Sequence, residues 1–254
     1  MNPPELHAPV EFRRNFRVDD EEATIDAAVW LIAHMCEHIG APDLGGLEVL
    51  DFGCGVRFAQ AFVNRQVPIK HYVGVDAYLE MIEFLQANVR DLRLEFVHVD
   101  ARNERYNPTG EPMSKETSTP IDGRQFDLIC LFSVFTHLAP HDYVAMLELL
   151  RRFAKPTTRL FFTLFIDEPS AGGHGMVESF VRTRAEMSGD NAAPAPRPPA
   201  PAYREFFPDQ PLLASVYSRE HALELVEGTG WEVLGVSPPD VHLQHHIVCA
   251  PVAG

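Results

Sequence analysis

The 254 residues carry 21 lysines and arginines against 36 aspartates and glutamates, a formal net charge of −15. So acidic a chain does not suit the phosphate backbone of a nucleic acid, and no stretch approaches the roughly 18 consecutive apolar residues of a membrane span. Residues 1–18 lack the apolar segment of a signal peptide, and the four cysteines are widely spaced, as expected of buried reduced thiols. We therefore expect a cytoplasmic enzyme built as one large α/β domain, with neither nucleic acid nor membrane as its partner.

The first two-thirds of the chain alternate between apolar runs and helical patterns. After a polar arm, a helix starts near Asp19 and ends at Gly40, because acidic residues cap its start and glycine stops it. Short apolar runs with glycine turns between them then predict buried parallel strands separated by helices. The predicted strands lie near residues 47–52, 71–76, 94–99, 126–132 and 159–166, and the predicted helices near 56–65, 77–90 and 140–154.

Two segments interrupt this alternation. Arg102–Gln125 contains prolines and glycines where a crossover helix is usual, so it is predicted to be a long loop. Ser188–Pro211 is richer still in proline and alanine and is predicted to be irregular or mobile. A helix over 219–228 and an antiparallel pair of strands, 231–236 and 246–250, complete the sheet.

A glycine turn follows the first strand. The run Leu47–Leu50 ends in Asp51, and Gly53 and Gly55 follow at a spacing of two. A strand, a tight glycine turn and a helix form a nucleotide cleft at the carboxyl end of an open α/β sheet. The missing Cβ atoms let a ligand approach the backbone closely. About 20 residues further on, the second run ends in Asp76, where such a site places a carboxylate on the ribose hydroxyls.

The third run ends in an acid, Asp100, followed by the small Ala101, and the fourth run ends at Phe132–Ser133. With these four strand ends in this order, the chain resembles the class I S-adenosylmethionine-dependent methyltransferases, best over residues 45–166. The resemblance implies a doubly wound, mostly parallel seven-stranded sheet with a reversed terminal strand, and S-adenosylmethionine as the cofactor. It also implies the residues that contact the donor: Asp51, Gly53, Cys54, Gly55, Asp76, Ala77, Asp100, Ala101 and Phe132.

The same resemblance divides the single domain, residues 1–254, into four parts. Residues 1–45 form an N-terminal arm and helix, and 46–166 form the donor-binding core. Residues 167–217 form a lid-like insertion, and 218–254 a C-terminal helix and hairpin. In the arm, in a loop at 106–110 and in the proline-rich segment, aromatic residues that include Tyr203, Phe206 and Phe207 either roof the active site or dock these segments on the core or a second subunit. A homodimer therefore remains an option.

Arg57 departs from the family pattern, because it stands where the third glycine of the first motif is expected. Three interpretations are open. The side chain points outward with its stem over apolar surface, it reaches a carboxylate of substrate or cofactor, or it marks a domain that no longer binds the donor. Phe58 argues against a dinucleotide turn, which needs glycine or alanine at that position.

Candidate catalytic residues follow the fourth and fifth predicted strands. Methyl transfer is an in-line displacement, and an alcohol acceptor needs a base because its proton must leave as the bond forms. His137 either takes this proton or orients the acceptor; alternatively it bonds a backbone carbonyl within the fold. Asp167 and Glu168 either hold a base, bind sugar-like hydroxyls or a divalent cation such as Mg²⁺, or simply face water. The clustered His242, His245 and His246 are expected to be ordinary surface histidines rather than metal ligands.

The predicted function is thus O-methylation of a hydroxyl on a small-molecule acceptor, a metabolite or a sugar or glycoside. No basic surface for nucleic acid is present, and the phrase Asn/Asp-Pro-Pro-aromatic, which marks N-methylation of amides and bases, does not follow the fourth strand. Two alternatives of other classes are an NAD(P)-dependent reductase and a catalytically silent binding module with the same fold.

Overall fold

The computed structural model describes residues 5–13, 20–102, 107–168, 202–207, 212–238 and 244–253. The helices of this part are α1 Glu21–Ile39, α2 Arg57–Asn64, α3 Leu79–Asn88, α4 Pro140–Arg151 and α5 Arg219–Glu224. The strands are β1 Leu44–Phe52, β2 Ile69–Asp76, β3 Leu94–His98, β4 Phe126–Leu131, β5 Ala154–Ile166, β6 Tyr203–Glu205, β7 Ser215–Tyr217, β8 Trp231–Ser237 and β9 His245–Pro251. No helix within these ranges is both long and apolar enough to cross a membrane.

Seven of the nine strands form a sheet in the order β3-β2-β1-β4-β5-β9-β8, and β7, paired with β6, extends it at the end of β5. The pairs from β3 to β5 are parallel, whereas β9 runs antiparallel to both β5 and β8. This confirms the predicted doubly wound sheet with a reversed terminal strand. Strand order reverses between β1 and β4, and in such sheets the ligand cleft opens at that point, outside the carboxyl ends of the strands.

The sheet is covered on both faces. Alternate residues of each strand point to opposite faces, so Val49 packs with α1, α2 and α3, whereas Leu50 packs with α4 and α5. Capping residues set the helix ends. Asp20 accepts a hydrogen bond from the Ala23 amide at the start of α1, and Gly40, with φ of 72°, ends that helix.

The differences from the sequence prediction include the start of β5 and an additional strand, β6. The helix predicted to reach residue 154 ends at Arg151, and β5 begins at Ala154 because the intervening residues turn the chain back toward the sheet. The prediction of an irregular 188–211 segment is wrong at Tyr203–Glu205, which forms β6. This strand exists because β7 offers a partner edge, and the rings of Tyr203 and Tyr217 pack across the pair at 5.2 Å.

The long loop predicted after β3 is confirmed for its described residues 107–125, which form turns and no helix. An isolated parallel bridge joins Ala101 to Glu111 and folds the loop back on the end of β3. Gly110 sits at this contact, where an added Cβ would lie 2.8 Å from the carbonyl of Ala101. The loop is therefore fastened beside the third strand end, which the donor site was predicted to use.

Candidate active site

The glycine turn after β1 is bent over the end of β2. The amides of Gly53 and Cys54 both donate to the carbonyl of Val75, at 2.7 and 3.1 Å. Gly53 and Gly55 have φ of 82° and 56°, a region that residues with a Cβ adopt only at a cost. The turn therefore depends on glycine at both positions, as the sequence pattern predicts.

Asp76 fastens this turn to the start of α3. One carboxylate oxygen accepts from the Gly55 amide at 3.1 Å, and the other accepts from the Tyr78 amide at 3.0 Å. Each carboxylate oxygen has two lone pairs, so these bonds are compatible with the ribose contacts expected of Asp76. The side chain thus lies where the glycine turn, β2 and α3 meet.

Gly53 also lies against the end of β4. A Cβ added there would lie 2.4 Å from Cγ2 of Val134, a distance that real structures avoid.

We expect Gly53→Ala to destabilise the fold by about 1–3 kcal/mol, because both the positive φ and the contact with Val134 penalise the methyl group. Urea unfolding measures this change. Gly46→Ala is the matched control, because a Cβ at Gly46 meets nothing within 4 Å, and an equal loss in both variants would contradict the explanation.

Asp51 lies beneath the turn rather than at its surface. The residue is 2 % exposed, and its carboxylate accepts a hydrogen bond from the Tyr72 hydroxyl at 2.7 Å. Burial raises the pKa of Asp51 to about 6, against the lowering effects of the Tyr72 bond and of the positive charge of Arg57. Asp51 is therefore a buried acid at the end of β1, held by Tyr72 of β2.

Arg57 does not point outward. Its guanidinium lies over the aromatic faces of Phe58 and Phe132, at 5.8 and 5.7 Å from the ring centres. Its charge lowers the pKa of Asp51 beneath the turn, whereas burial lowers the pKa of Arg57 itself. The cation that replaces the third glycine therefore packs inward on aromatic rings and faces a buried acid.

The raised pKa of Asp51 makes stability depend on pH. Because the folded-state pKa of about 6 exceeds the ordinary value of 3.8, the stability from protonated Asp51 is complete below pH 3.8. It is lost as the pH rises through about 6, and the total loss is about 3 kcal/mol. We expect Asp51→Asn, which cannot ionise, to gain most of this amount relative to the wild type between pH 4 and pH 7. Urea unfolding at several pH values tests it, and parallel stability curves would refute it.

The ends of β2 and β3 approach each other beside the turn. The backbone carbonyl of Ala77 lies 3.3 Å from Nε2 of His98, a contact the sequence gave no reason to expect. Asp100 is exposed and its carboxylate accepts from the side-chain Nδ2 of Asn107 at 2.8 Å, whereas Ala101 is buried. The end of β3 thus presents an exposed carboxylate beside a buried small residue, and the role of this pair toward the adenine stays a prediction.

The backbone just after β4 has an unusual conformation that the sequence did not predict. Ser133 has φ of 59°, although it is not glycine, and such residues concentrate at functional sites. Its amide donates to Thr163 Oγ1 at 2.8 Å, and Gln244 Nε2 donates to its hydroxyl at 2.8 Å. Phe132, the residue before it, is buried between Phe58 and Phe161. The strained serine is thus held by β5 and by a residue 111 positions later, which no local sequence signal indicates.

His137 lies just past β4 in a short 3₁₀ helix, Phe135–His137. Its Nδ1 is 2.9 Å from the backbone carbonyl of Leu212, so Nδ1 carries the proton that this bond requires. In the neutral ring, Nε2 is then the nitrogen with a lone pair. The contact with a carbonyl matches the structural interpretation of His137, and the tautomer it selects is also the one that a general base needs.

Asp167 and Glu168 are ion-paired rather than exposed at a strand end. The buried Asp167 carboxylate pairs with Arg204 of β6, and its amide donates to the carbonyl of Tyr217. Glu168 lies 2.5 Å from Nη1 of Arg219 and 3.1 Å from Nε2 of His245. The interpretation in which these acids simply face water is therefore wrong, because arginines from β6 and α5 and a buried histidine enclose them.

The expectation of ordinary surface histidines near the C-terminus is also wrong. His245 and His246 are 0 % and 2 % exposed, because both belong to β9, which lies inside the sheet between β5 and β8. Burial lowers the pKa of His245, an effect that Glu168 opposes. His242 lies outside the described residues.

The described parts of the arm and of the insertion are docked on the core. Leu6 and Phe12 of the arm are buried, and Phe12 packs against Tyr78 and Phe84 of α3. Phe206 and Phe207 pack around the buried Ala214 and Val216. The docking interpretation thus holds for these two phenylalanines. Most of the predicted mobile loop, residues 188–201 and 208–211, lies outside the described residues, as do 103–106 of the other loop.

Comparison with known proteins decides the family. A sequence model of the methyltransferase domain matches residues 31–236. The chain belongs to the class I S-adenosylmethionine-dependent methyltransferases. The cofactor is therefore S-adenosylmethionine, the reaction requires a methyl acceptor, and the alternative of an NAD(P)-dependent reductase is set aside.

Solved structures show the same fold at low sequence identity. Magnesium protoporphyrin IX methyltransferase from Synechocystis PCC 6803 is 15 % identical, with a TM-score of 0.51 over 94 % of this methyltransferase and 89 % of that chain. A methyltransferase of calicheamicin biosynthesis is 14 % identical, with a TM-score of 0.56. The match covers 91 % of this chain and 55 % of that chain. Mitomycin 7-O-methyltransferase is 15 % identical, with a TM-score of 0.52. The match covers 91 % of this chain and 54 % of that chain. The chain spans about half the length of the last two.

Proposed function

We propose that this methyltransferase transfers a methyl group to a hydroxyl oxygen of a small metabolite or of a sugar or glycoside. The observation that carries the proposal is the tautomer of His137, whose Nδ1 is bound by the Leu212 carbonyl so that Nε2 has the lone pair. The acceptor oxygen attacks the methyl carbon and the carbon–sulfur bond breaks, with its electron pair remaining on sulfur. The hydroxyl proton passes to Nε2, and S-adenosylhomocysteine leaves.

On the donor side, the chain's own residues bind and orient. We assign the ribose to Asp76 and the adenine to Asp100 and Ala101, at the ends of β2 and β3. The backbone of the glycine turn, with Cys54, lies against the rest of the donor, and Asp51 supports this turn from below. Ala77 and Phe132 complete the lining of the proposed donor site. In-line placement of methyl and acceptor by such a rigid frame supplies several kcal/mol of catalysis.

On the acceptor side, the paired acids supply polar contacts rather than a metal site. Asp167 and Glu168 already neutralise Arg204 and Arg219, so their oxygens suit hydrogen bonds from sugar-like hydroxyls better than ligation of Mg²⁺. The net charge of −15 favours a small neutral or cationic acceptor over an anionic polymer. We expect turnover to be the same with Mg²⁺ and with a chelator.

We also propose the four-part division of the domain, with residues 167–217 acting as a lid over the acceptor. The support is that the described part of this segment reaches the site at two points. Leu212 contacts His137, and Arg204 contacts Asp167. A segment that holds both candidate residues is placed to exclude water when donor and acceptor are bound.

A screen of hydroxylated metabolites and glycosides with methyl-labelled donor tests the function, run with Mg²⁺ and with chelator. The expected product carries the label on oxygen. Label on nitrogen or carbon would overturn the O-methylation proposal. The alternative of a silent module is motivated by Arg57 at the third glycine position, and failure to bind S-adenosylhomocysteine in calorimetry would support it.

A further inference from the structure

Three histidines from distant parts of the chain meet on the α1 side of the sheet. His34 and His38 are one turn apart on α1, and His246 is in β9. One ring nitrogen of each lies within 4.8 Å of the others. We propose that these three imidazoles form a binding site for a divalent transition-metal ion of the Zn²⁺ type, separate from the candidate catalytic residues.

The ligand chemistry selects this class of ion. Imidazole nitrogen binds Zn²⁺, Cu²⁺, Ni²⁺ and Co²⁺ well, whereas Mg²⁺ and Ca²⁺ prefer oxygen. Histidines at positions i and i+4 lie on one face of a helix, so His34 and His38 present their rings in the same direction. His246 approaches from the neighbouring strand, and three ligands from two elements leave a fourth tetrahedral position for water.

The distances are close to those of a bound site. Nε2 of His34 and Nδ1 of His246 are 2.8 Å apart, so one ring donates a hydrogen bond to the other. Two nitrogens on one Zn²⁺ ion lie about 3.3 Å apart, since each Zn–N bond is about 2.0–2.1 Å. Separation of the pair by a few tenths of an ångström, with a tilt of both rings so that the two lone pairs meet at one point, therefore turns the hydrogen-bonded pair into two ligands. The proton between them passes to solvent or to the other nitrogen of its own ring, and the metal takes its place.

His38 also has the supporting contact that metal ligands usually have. Its Nδ1 lies 2.9 Å from the backbone carbonyl of His34, which fixes the proton on Nδ1 and leaves Nε2 as the nitrogen with a lone pair for a metal. The site is enclosed but accessible. His34 and His246 are 8 % and 2 % exposed, whereas His38 is half-buried and Trp30 stacks on His34 with ring centres 4.8 Å apart.

The site would brace α1 against the sheet beside the cleft. His246 pairs with Thr163 in the β5–β9 register, and Thr163 accepts from the amide of the strained Ser133. Metal binding is nevertheless measurable without methyl transfer, because the donor and acceptor candidates belong to other elements. Its failure would leave the proposed function untouched.

The experiment uses the full chain without an affinity tag, freed of metal by a chelator and then titrated with Co²⁺. We expect one Co²⁺ per chain with the visible absorption of a tetrahedral site, displaced by Zn²⁺ but not by Mg²⁺. Trp30 emission should be quenched, and Trp30→Phe should remove that quenching while the absorption remains. These readouts test geometry and place independently of activity.

Variants decide which histidines bind. His38→Gln removes a half-buried ligand at little cost to packing and should weaken Co²⁺ binding by at least about tenfold. His141→Gln is the matched control, because His141 is a helical histidine whose side chain is 81 % exposed, and it should bind as the wild type does. His246→Asn removes the ligand from β9 and should also weaken Co²⁺ binding. Equal affinity in the wild type, His38→Gln and His141→Gln, or no tetrahedral absorption, would show that His34 and His246 form only a hydrogen bond.

Discussion

Asp76→Ala is expected to weaken the binding of S-adenosylhomocysteine by roughly 2–4 kcal/mol, about 30- to 1,000-fold, as for the loss of charged hydrogen bonds. The structure adds a second reason. Asp76 accepts from the amides of Gly55 and Tyr78, so its removal also loosens the turn on which the donor rests. Isothermal titration calorimetry measures the change directly.

Two further variants separate these causes. Asp76→Asn keeps an acceptor for one amide but loses the charge and one acceptor oxygen, so its affinity should fall between those of the wild type and Asp76→Ala. Asp91→Ala removes a surface carboxylate that is paired only with its neighbour Arg93, and it should bind as the wild type does. Unchanged affinity in Asp76→Ala would remove this residue from the donor site and weaken the whole assignment of the strand ends.

His137→Ala is expected to lower turnover by roughly 10²–10⁴ while donor affinity is kept, since general-base catalysis contributes about that factor. Steady-state kinetics and calorimetry with S-adenosylhomocysteine measure the two quantities separately.

The structure offers a control that distinguishes base from structural support. In His137→Asn, the side-chain amide can still donate to the Leu212 carbonyl but has no basic nitrogen. If His137 is the base, His137→Asn is more stable than His137→Ala but turns over no faster. If it only holds the segment at Leu212, turnover recovers too. His141→Ala, four residues on and exposed, should leave both unchanged. A collapse of donor binding in His137→Ala would place the residue with the cofactor or the fold.

The order of the elements could be predicted from the sequence because its signals are local. Apolar runs that end in Asp51, Asp76 and Asp100, with glycines after the first, indicate parallel strands and the turn between them within a few residues. The structure keeps these strand ends along one edge of the sheet. Gly53 has a positive φ, as the pattern required, so the glycine turn follows from short-range information.

The errors arise where a second segment of chain sets the environment. β6 forms within a proline-rich stretch because β7 supplies a partner edge, and His245 is buried because β9 is inserted between two strands. Neither a residue's type nor its immediate neighbours reveals such a partner. Asp167 illustrates the same limit: its position after β5 was predictable, but its pairing with Arg204, 37 residues later, was not.

The sequence by itself thus determined the fold class, the glycine turn and the acidic strand ends, because each depends on backbone conformation and periodicity over a few residues. Only the tertiary structure decided the surroundings of the chemistry. Leu212 lies 75 residues from His137, Gln244 lies 111 from Ser133, and His246 lies 212 from His34. Contacts of this kind depend on how the packed elements meet, and a hydrogen bond or a metal ligand set is defined only after the sheet has brought the partners within a few ångströms.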